Sequence, residues 1–209
     1  SYVEGDVALA RAWYGARGGY RECLLYPSNL FKEVPPGGGR DGLLNVQVGN
    51  SADPGNGHFE MLELLAASPR AGGMRIYAPL SYGDPAHARA VAERGQALFG
   101  DRFVAMLDFM PLPAYVAWLG SIDIALFNHQ RQQGMGNAIT LLGMGKKVHL
   151  RTDVSQWEMF RRLGLAVFPL DAFVPERLSP QEAARNREIV RREFSEERLQ
   201  EQLSRIFEE

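Results

Sequence analysis

The chain has 209 residues, 45% of them hydrophobic, and a formal net charge of −2. That apolar content suffices for one large domain or one and a half small ones, and the weak negative charge argues against a nucleic-acid binder, which needs a concentrated positive field. Cys23 is the single cysteine, so no internal disulfide forms and a reducing compartment is expected. No apolar run approaches the ~20 residues of a membrane span, and no signal-peptide pattern is seen. The start at Ser1 rather than Met suggests a fragment whose parent carries a further N-terminal domain.

Residues 1–34 read as a short helix around Val7 to Tyr14, then Gly18-Gly19, then a strand-like Cys23 to Tyr26. The run Pro35-Pro36-Gly37-Gly38-Gly39 sustains neither helix nor strand and marks a linker or long surface loop. Regular alternation follows. Strands are expected at Leu43 to Val48, Met74 to Ala78, Phe103 to Leu107, Ile122 to Phe127, Lys147 to Leu150 and Ala166 to Pro169. Helices are expected between them at His58 to Ala67, Pro85 to Leu98, Pro113 to Leu119, Asn137 to Met144 and Ser155 to Leu163. Residues 179–208 are polar and helical, with Glu and Arg spaced for i,i+4 pairing on a solvated face. This pattern predicts βαβ units: an α/β, Rossmann-like parallel sheet with helices on both faces. Ligands in such folds bind outside the carboxyl ends of the strands.

Three polar turns fall at that end. The turn after the fourth strand of the alternation, Asn128 to Asn137, carries Arg131, Gln132, Gln133, Gly134 and Gly136 before an apolar helix. Free amides and the positive dipole end of a helix start hold phosphates well, and an arginine and carboxamides surround them here. Asn137 also has a plain role as helix cap, and Gly136 as a turn former. The turn after the first strand, Gly49 to His58, is ten residues long where such loops usually run ~2–6. Gly49, Asn50 and Ser51 are ligand candidates there; Asn56 suits a helix cap, and Asp53 suits a turn stabilised through its own backbone. In the turn after the second strand, Asp84-Pro85 is a helix start, and Ser81 and Tyr82 offer hydroxyls or a stacking ring.

Other chemistries find no motif. His58, His87, His129 and His149 show no metal-ligand spacing with one another or with Cys23. The phosphate loop of nucleoside triphosphatases, the hydrolase nucleophile elbow and the Gly-x-Gly-x-x-Gly dinucleotide fingerprint are all missing, as is an Asp-x-Asp pair. Trp118, Trp157 and the Leu-rich helix faces read as core.

Val48-Gly49-Asn50-Ser51-Ala52-Asp53 with Asn56 and His58, then Pro79 and Tyr82-Gly83, then Arg131-Gln132-Gln133-Gly134-Met135-Gly136, resemble the TDP-N-acetylfucosamine:lipid II N-acetylfucosaminyltransferases, often labelled 4-alpha-L-fucosyltransferase. The similarity runs from about Asp6 to Leu170. It implies the C-terminal half of a GT-B glycosyltransferase: residues 1–34 an interdomain remnant, 40–178 the nucleotide-sugar-binding domain, and 179–209 helices that pack on it or return toward the missing half. It further implies a TDP-sugar donor carrying 4-acetamido-4,6-dideoxygalactose, a polyprenyl-diphosphate-linked saccharide acceptor, and no metal or other cofactor. The site would be peripheral on the cytoplasmic face of the inner membrane, with membrane contact through the missing half. Many GT-B enzymes place a ribose-binding Glu in the helix after the glycine turn; Thr140 falls near that position here, which suits a donor lacking the 2'-hydroxyl. Arg131 is then the best-placed cation for the diphosphate, and Asp53 and His58 are the eligible bases. A GT-B-like sugar-nucleotide epimerase and a non-enzymatic flavodoxin-like module are the rival readings.

Overall fold

The computed structural model describes residues 1–33 and 42–208. The expected linker at Pro35–Gly39 lies outside the described residues. Six strands form one parallel sheet: β1 (Leu44–Val48), β2 (Met74–Pro79), β3 (Phe103–Met106), β4 (Ile124–Phe127), β5 (Lys147–Leu150) and β6 (Phe168–Pro169), in the order β3-β2-β1-β4-β5-β6. Every residue of β4 and of β5 is buried, as a strand covered on both faces requires.

Helices flank both faces. Helices α2 (His58–Ala66) and α3 (Pro85–Phe99) cover one, where Leu62, Leu65, Val91 and Phe99 meet Val46, Val48, Ile76, Ile124 and Leu126. The other face, with Ala125, Phe127, Val148 and Leu150, lies under α4 (Leu112–Leu119), α5 (Met135–Gly143), α6 (Ser155–Arg162) and α7 (Pro180–Glu193). Period-two side-chain alternation explains the division: neighbouring strand residues such as Ala125 and Leu126 enter opposite cores. Trp118 and Trp157 are only partly buried, packed against the second core.

Local chemistry sets the helix starts. Asp84 Oδ1 accepts the Ala86 and His87 amides at 2.7 and 2.9 Å, with Pro85 at the first helical position. Ser179 and Glu182 form a capping box before α7, and a last helix, α8, spans Glu196–Phe207.

The first 33 residues pack onto this body. Helix α1 (Glu4–Tyr14) docks against α6 through an Asp6–Ser155 hydrogen bond and a Glu4–Arg162 ion pair. Cys23 to Tyr26 is not a strand. Its backbone finds other partners: the Cys23 amide donates to the Ser1 carbonyl at 3.2 Å, and the Leu24 amide to Gln202 Oε1 at 2.9 Å. A 3-10 turn at Pro27–Asn29 follows and approaches the start of α5.

In this strand order the chain leaves β1 for β2 and β3 on one side, then returns to β4 on the other. A crevice therefore opens between the loops leaving β1 and β4, where ligands of doubly wound sheets bind.

Candidate functional site

Those two loops are joined by one buried polar hub. Asn56 is wholly buried. Its Oδ1 accepts the Asn50 amide and faces His129 Nε2, each at 2.9 Å, while its Nδ2 donates to the Asp53 carbonyl at 3.0 Å and the Ser51 hydroxyl at 3.3 Å. Asn56 therefore does not cap α2; Gly57, in the left-handed conformation at φ +60°, takes that place. Gly49 turns at φ +66°, and a Cβ there would stand 2.7 Å from both Asn56 Oδ1 and His58 Nε2. Its missing side chain makes room for the hub rather than for a ligand. Ser51 is likewise turned inward.

At the loop surface, Asp53 Oδ1 accepts the Gly55 amide at 2.8 Å, the backbone-stabilised turn its sequence suggests. Its other oxygen meets Arg131 Nη2 at 3.0 Å and Gln133 Nε2 at 3.4 Å. The Gly55 amide, with help from Arg131, holds the Asp53 carboxyl below the usual carboxylate range, which makes it a weak base. Arg131 remains largely exposed, at 69% of its side chain.

His58 is wholly buried, its Nδ1 3.0 Å from His87 Nε2. Burial, reinforced by His87, pushes its pKa down to about 3. A base for an acceptor hydroxyl must reach that hydroxyl, and a buried ring cannot. The geometry corrects the expectation for His58 to a positioning role at the start of α2.

The start of α5 carries no side-chain cap, so the first-turn amides of Met135, Gly136 and Asn137 are anion-binding donors in want of an acceptor. Gly134 forms the N-cap at φ +67°. A Cβ there would lie 2.9 Å from His129 Cε1 and 3.3 Å from Asn50 Oδ1, a buried acceptor without a partner. Gly136 faces elsewhere: a Cβ would meet the Ser28 carbonyl at 3.2 Å and Asn29 Oδ1 at 3.1 Å, so its small size admits the N-terminal 3-10 turn. Asn137 is a helical residue rather than a cap, and its Oδ1 accepts the Tyr115 hydroxyl at 2.5 Å. Thr140, half-buried, lies one turn past Gly136 on the same face. Gln132 is half-buried beside Arg131.

Next to this helix start is a cavity of about 170 Å³, lined by Asn50, Pro79, Ser81, Tyr82, Asn137 and the β3–α4 connection. Met106 at the end of β3, Asp108, Phe109 and Met110 of that connection, and Leu112 and Tyr115 of α4 complete this lining. An apolar cavity of about 150 Å³ accommodates benzene, so this one has the volume for a single flat ring. The Tyr82 hydroxyl accepts from Asn50 Nδ2 at 3.1 Å, while the Ala52 amide donates to the Tyr82 carbonyl at 2.7 Å, zipping the β1 and β2 loops together. Burial lifts the Tyr115 hydroxyl above the ordinary tyrosine range, so it stays a donor to Asn137.

Residues 20–189 match the family model described as 4-alpha-L-fucosyltransferase, glycosyl transferase group 56. The chain belongs to that family. Among solved structures it is similar to sucrose-phosphate synthase from Thermosynechococcus elongatus, with a TM-score of 0.66 at 14% identity over 98% of this chain and 56% of that one. Against WaaG, a glycosyltransferase involved in lipopolysaccharide biosynthesis, the TM-score is 0.56 at 15% identity, over 93% of this chain and 53% of that one. OtsA in its apo form gives 0.58 at 11%, over 80% of this chain and 44% of that one. These neighbours are GT-B glycosyltransferase domains, and the likeness shows the fold: one Rossmann-like unit of that architecture. The chain spans about half the length of the solved structures it matches.

Within this family member, the structure gathers Asn50, Ser81, Tyr82, Arg131, Gln133, Gly134 and Asn137 around one crevice, while Gly49, Ser51 and His58 work behind it. Sequence reasoning missed the β3–α4 connection and the hub of Asn56 and His129. The run Phe109-Met110-Pro111 was the available signal for the first: apolar residues just before a helix at the ligand end of a strand. Among the described residues no group of three or more His, Cys, Asp or Glu could hold a metal ion, and no helix is long and apolar enough to cross a membrane.

Proposed function

We propose that this chain is the donor-binding half of a glycosyltransferase that takes 4-acetamido-4,6-dideoxygalactose from a TDP-sugar and delivers it to a lipid-linked saccharide. One observation carries the reading: a ring-sized cavity lies beside an uncapped helix start, lined by Asn137 of the first turn of α5 and by Asn50, which stands against Gly134. A nucleotide presents that same sequence of parts, a flat base followed by two phosphates. The base enters between Tyr82, Pro79, Met106 and Leu112, and the diphosphate rests on the amides of Met135 to Asn137.

Arg131 turns from Asp53 to the phosphates. The exchange is cheap, since an exposed ion pair contributes only about 0–1 kcal/mol. As the glycosidic bond breaks, the leaving diphosphate gains negative charge and the sugar becomes oxocarbenium-like; donors fixed beforehand at the phosphates stabilise that state more than the ground state. Asn50 lines the cavity beside the helix start, its side-chain amide donating to the Tyr82 hydroxyl. Asp53 is a weak base, so the group that deprotonates the acceptor comes from the other half of the enzyme. The family membership and the absence of a ribose-binding carboxylate at Thr140 support a deoxyribose donor. Burying the thymine methyl against Met106 and Leu112 adds about 0.8 kcal/mol, or about fourfold, over uracil.

A thermal-shift panel of TDP, UDP, GDP and their sugars tests this. TDP compounds should raise the melting temperature most, UDP compounds less and GDP compounds least. Equal shifts for all three bases, or none, would overturn the assignment.

A further inference from the structure

The loop leaving β4 is supported from beneath by a side chain with an unresolved proton count. His129 is wholly buried and stacked on Phe127, with ring centroids 5.4 Å apart. Its Nδ1 lies 3.1 Å from the Gln133 carbonyl oxygen and its Nε2 2.9 Å from Asn56 Oδ1. Both partners are oxygens that only accept. The Asn56 amide cannot be reversed to offer a donor, because its Oδ1 also takes the Asn50 amide and its Nδ2 supplies the Asp53 carbonyl and the Ser51 hydroxyl. A neutral imidazole has one ring proton for these two acceptors; only an imidazolium satisfies both.

Burial opposes the charge and pulls the His129 pKa down to about 4, although the Gln133 carbonyl favours the charged form. Of the charged groups that face the ring, Arg131 on its own loop opposes the proton and Asp53 on the β1 loop favours it. His58, at the start of α2, is kept neutral by its own burial and adds no charge. In the free protein at neutral pH one of the two contacts therefore lacks its hydrogen. The ring's Cε1 edge points at Gly134, the N-cap of α5, and the unpartnered Asn50 Oδ1 faces the same point.

Resting on the proposed diphosphate site, we propose that an anionic ligand seated on the first turn of α5 draws a proton from solvent onto His129, so that diphosphate binding and imidazolium formation are coupled. The proton goes to whichever ring nitrogen lacks one, and no other bond changes. Two negative charges at the helix start supply the attraction that the free site lacks, and the new N–H fills a contact already built for it. The charged ring then braces Gln133 and Asn56, fixing the loops after β4 and β1 around the ligand. His129 is thus a positioning residue, and affinity for the diphosphate strengthens as pH falls.

Calorimetry with TDP-glucose tests the coupling, because that diester's phosphates do not titrate in the working range. Titrations at successive pH values from about 8 to about 6, each in buffers of different ionisation enthalpy, should show net proton uptake per ligand. Affinity should rise several-fold over that span, with about tenfold per pH unit as the ceiling for one linked proton. His129→Gln should bind without uptake and with a flat pH profile. If that variant does not fold, 15N-histidine spectra of the unsubstituted protein decide: on TDP-glucose addition both His129 ring nitrogens should move to imidazolium positions. Binding without uptake, uptake that persists in His129→Gln, or ring nitrogens that stay neutral would overturn the coupling while leaving the diphosphate site standing. No binding of TDP-glucose at any pH would instead bring down the site and the coupling with it.

Discussion

Replacing Asn56 by alanine removes the hub that joins the two site loops. The wild-type amide makes four hydrogen bonds in a wholly buried position. Truncation leaves the Asn50 amide and the facing His129 ring nitrogen, both buried, without their partner. Each orphaned group costs about 1–3 kcal/mol, so the sum is about 2–6 kcal/mol. Water entering from the loop side satisfies part of that demand, which places the expected loss in the lower half of the range, about 3 kcal/mol. Urea denaturation of both proteins measures it: the midpoint should fall while the m-value holds, because the same surface is exposed on unfolding. TDP affinity should fall with it, since Gln133 and Gly134 lose their brace. A loss below about 1 kcal/mol would refute the view that buried polar bonding organises this site.

Arg131→Ala should weaken TDP binding at least tenfold by calorimetry, yet shift stability by no more than about 1 kcal/mol because its ion pair with Asp53 is exposed. Tyr115→Phe removes the donor to Asn137 Oδ1 and should cost about 1 kcal/mol of stability, read as a lower urea midpoint. Gly134→Ala forces a side chain into the left-handed region at φ +67° and against His129, and should lower stability by about 1–3 kcal/mol in urea melts. Acid should destabilise the fold through its buried histidines. His58, His129 and His149 have folded pKa values near 3, 4 and 4, below the ordinary 6.5. The unfolded chain therefore binds protons first: stability is full above pH ~6.5 and declines as pH falls toward ~4. Between pH ~7.5 and ~5.5 each contributes about 1.3 kcal/mol of loss, about 4 kcal/mol in all, readable from urea midpoints at the two pH values.

The alternation of β4-like apolar runs with amphipathic helices made the fold legible, because a fully buried parallel strand leaves a mark that no solvent-facing segment shares. Cys23 to Tyr26 misled for a physical reason: Cys23 and Leu24 are buried like strand residues while Leu25 and Tyr26 are exposed, and Ser1 and Gln202 rather than a neighbouring strand take the Cys23 and Leu24 amides. Periodicity cannot see such partners. At the site, the glycine-bearing loop after β4 was visible as a helix start rich in donors. Which residues face the crevice was not. Gly49, Ser51 and His58 sit in the same motif as Asn50, yet they point into the protein, because Asn56 draws the loop inward around its amide. The ring-sized cavity also stayed hidden, since Phe109, Met110 and Leu112 read as the approach to a helix until β3 and α4 fix them beside Tyr82.

A crystal of this chain soaked with TDP measures the central claim most directly. The two phosphates should lie within hydrogen-bond reach of the Met135, Gly136 and Asn137 amides, with Arg131 swung onto them and thymine between Tyr82 and Leu112. Phosphates bound elsewhere on the chain, or a helix start closed off by Ser28 and Asn29 with no nucleotide beside it, would contradict the account.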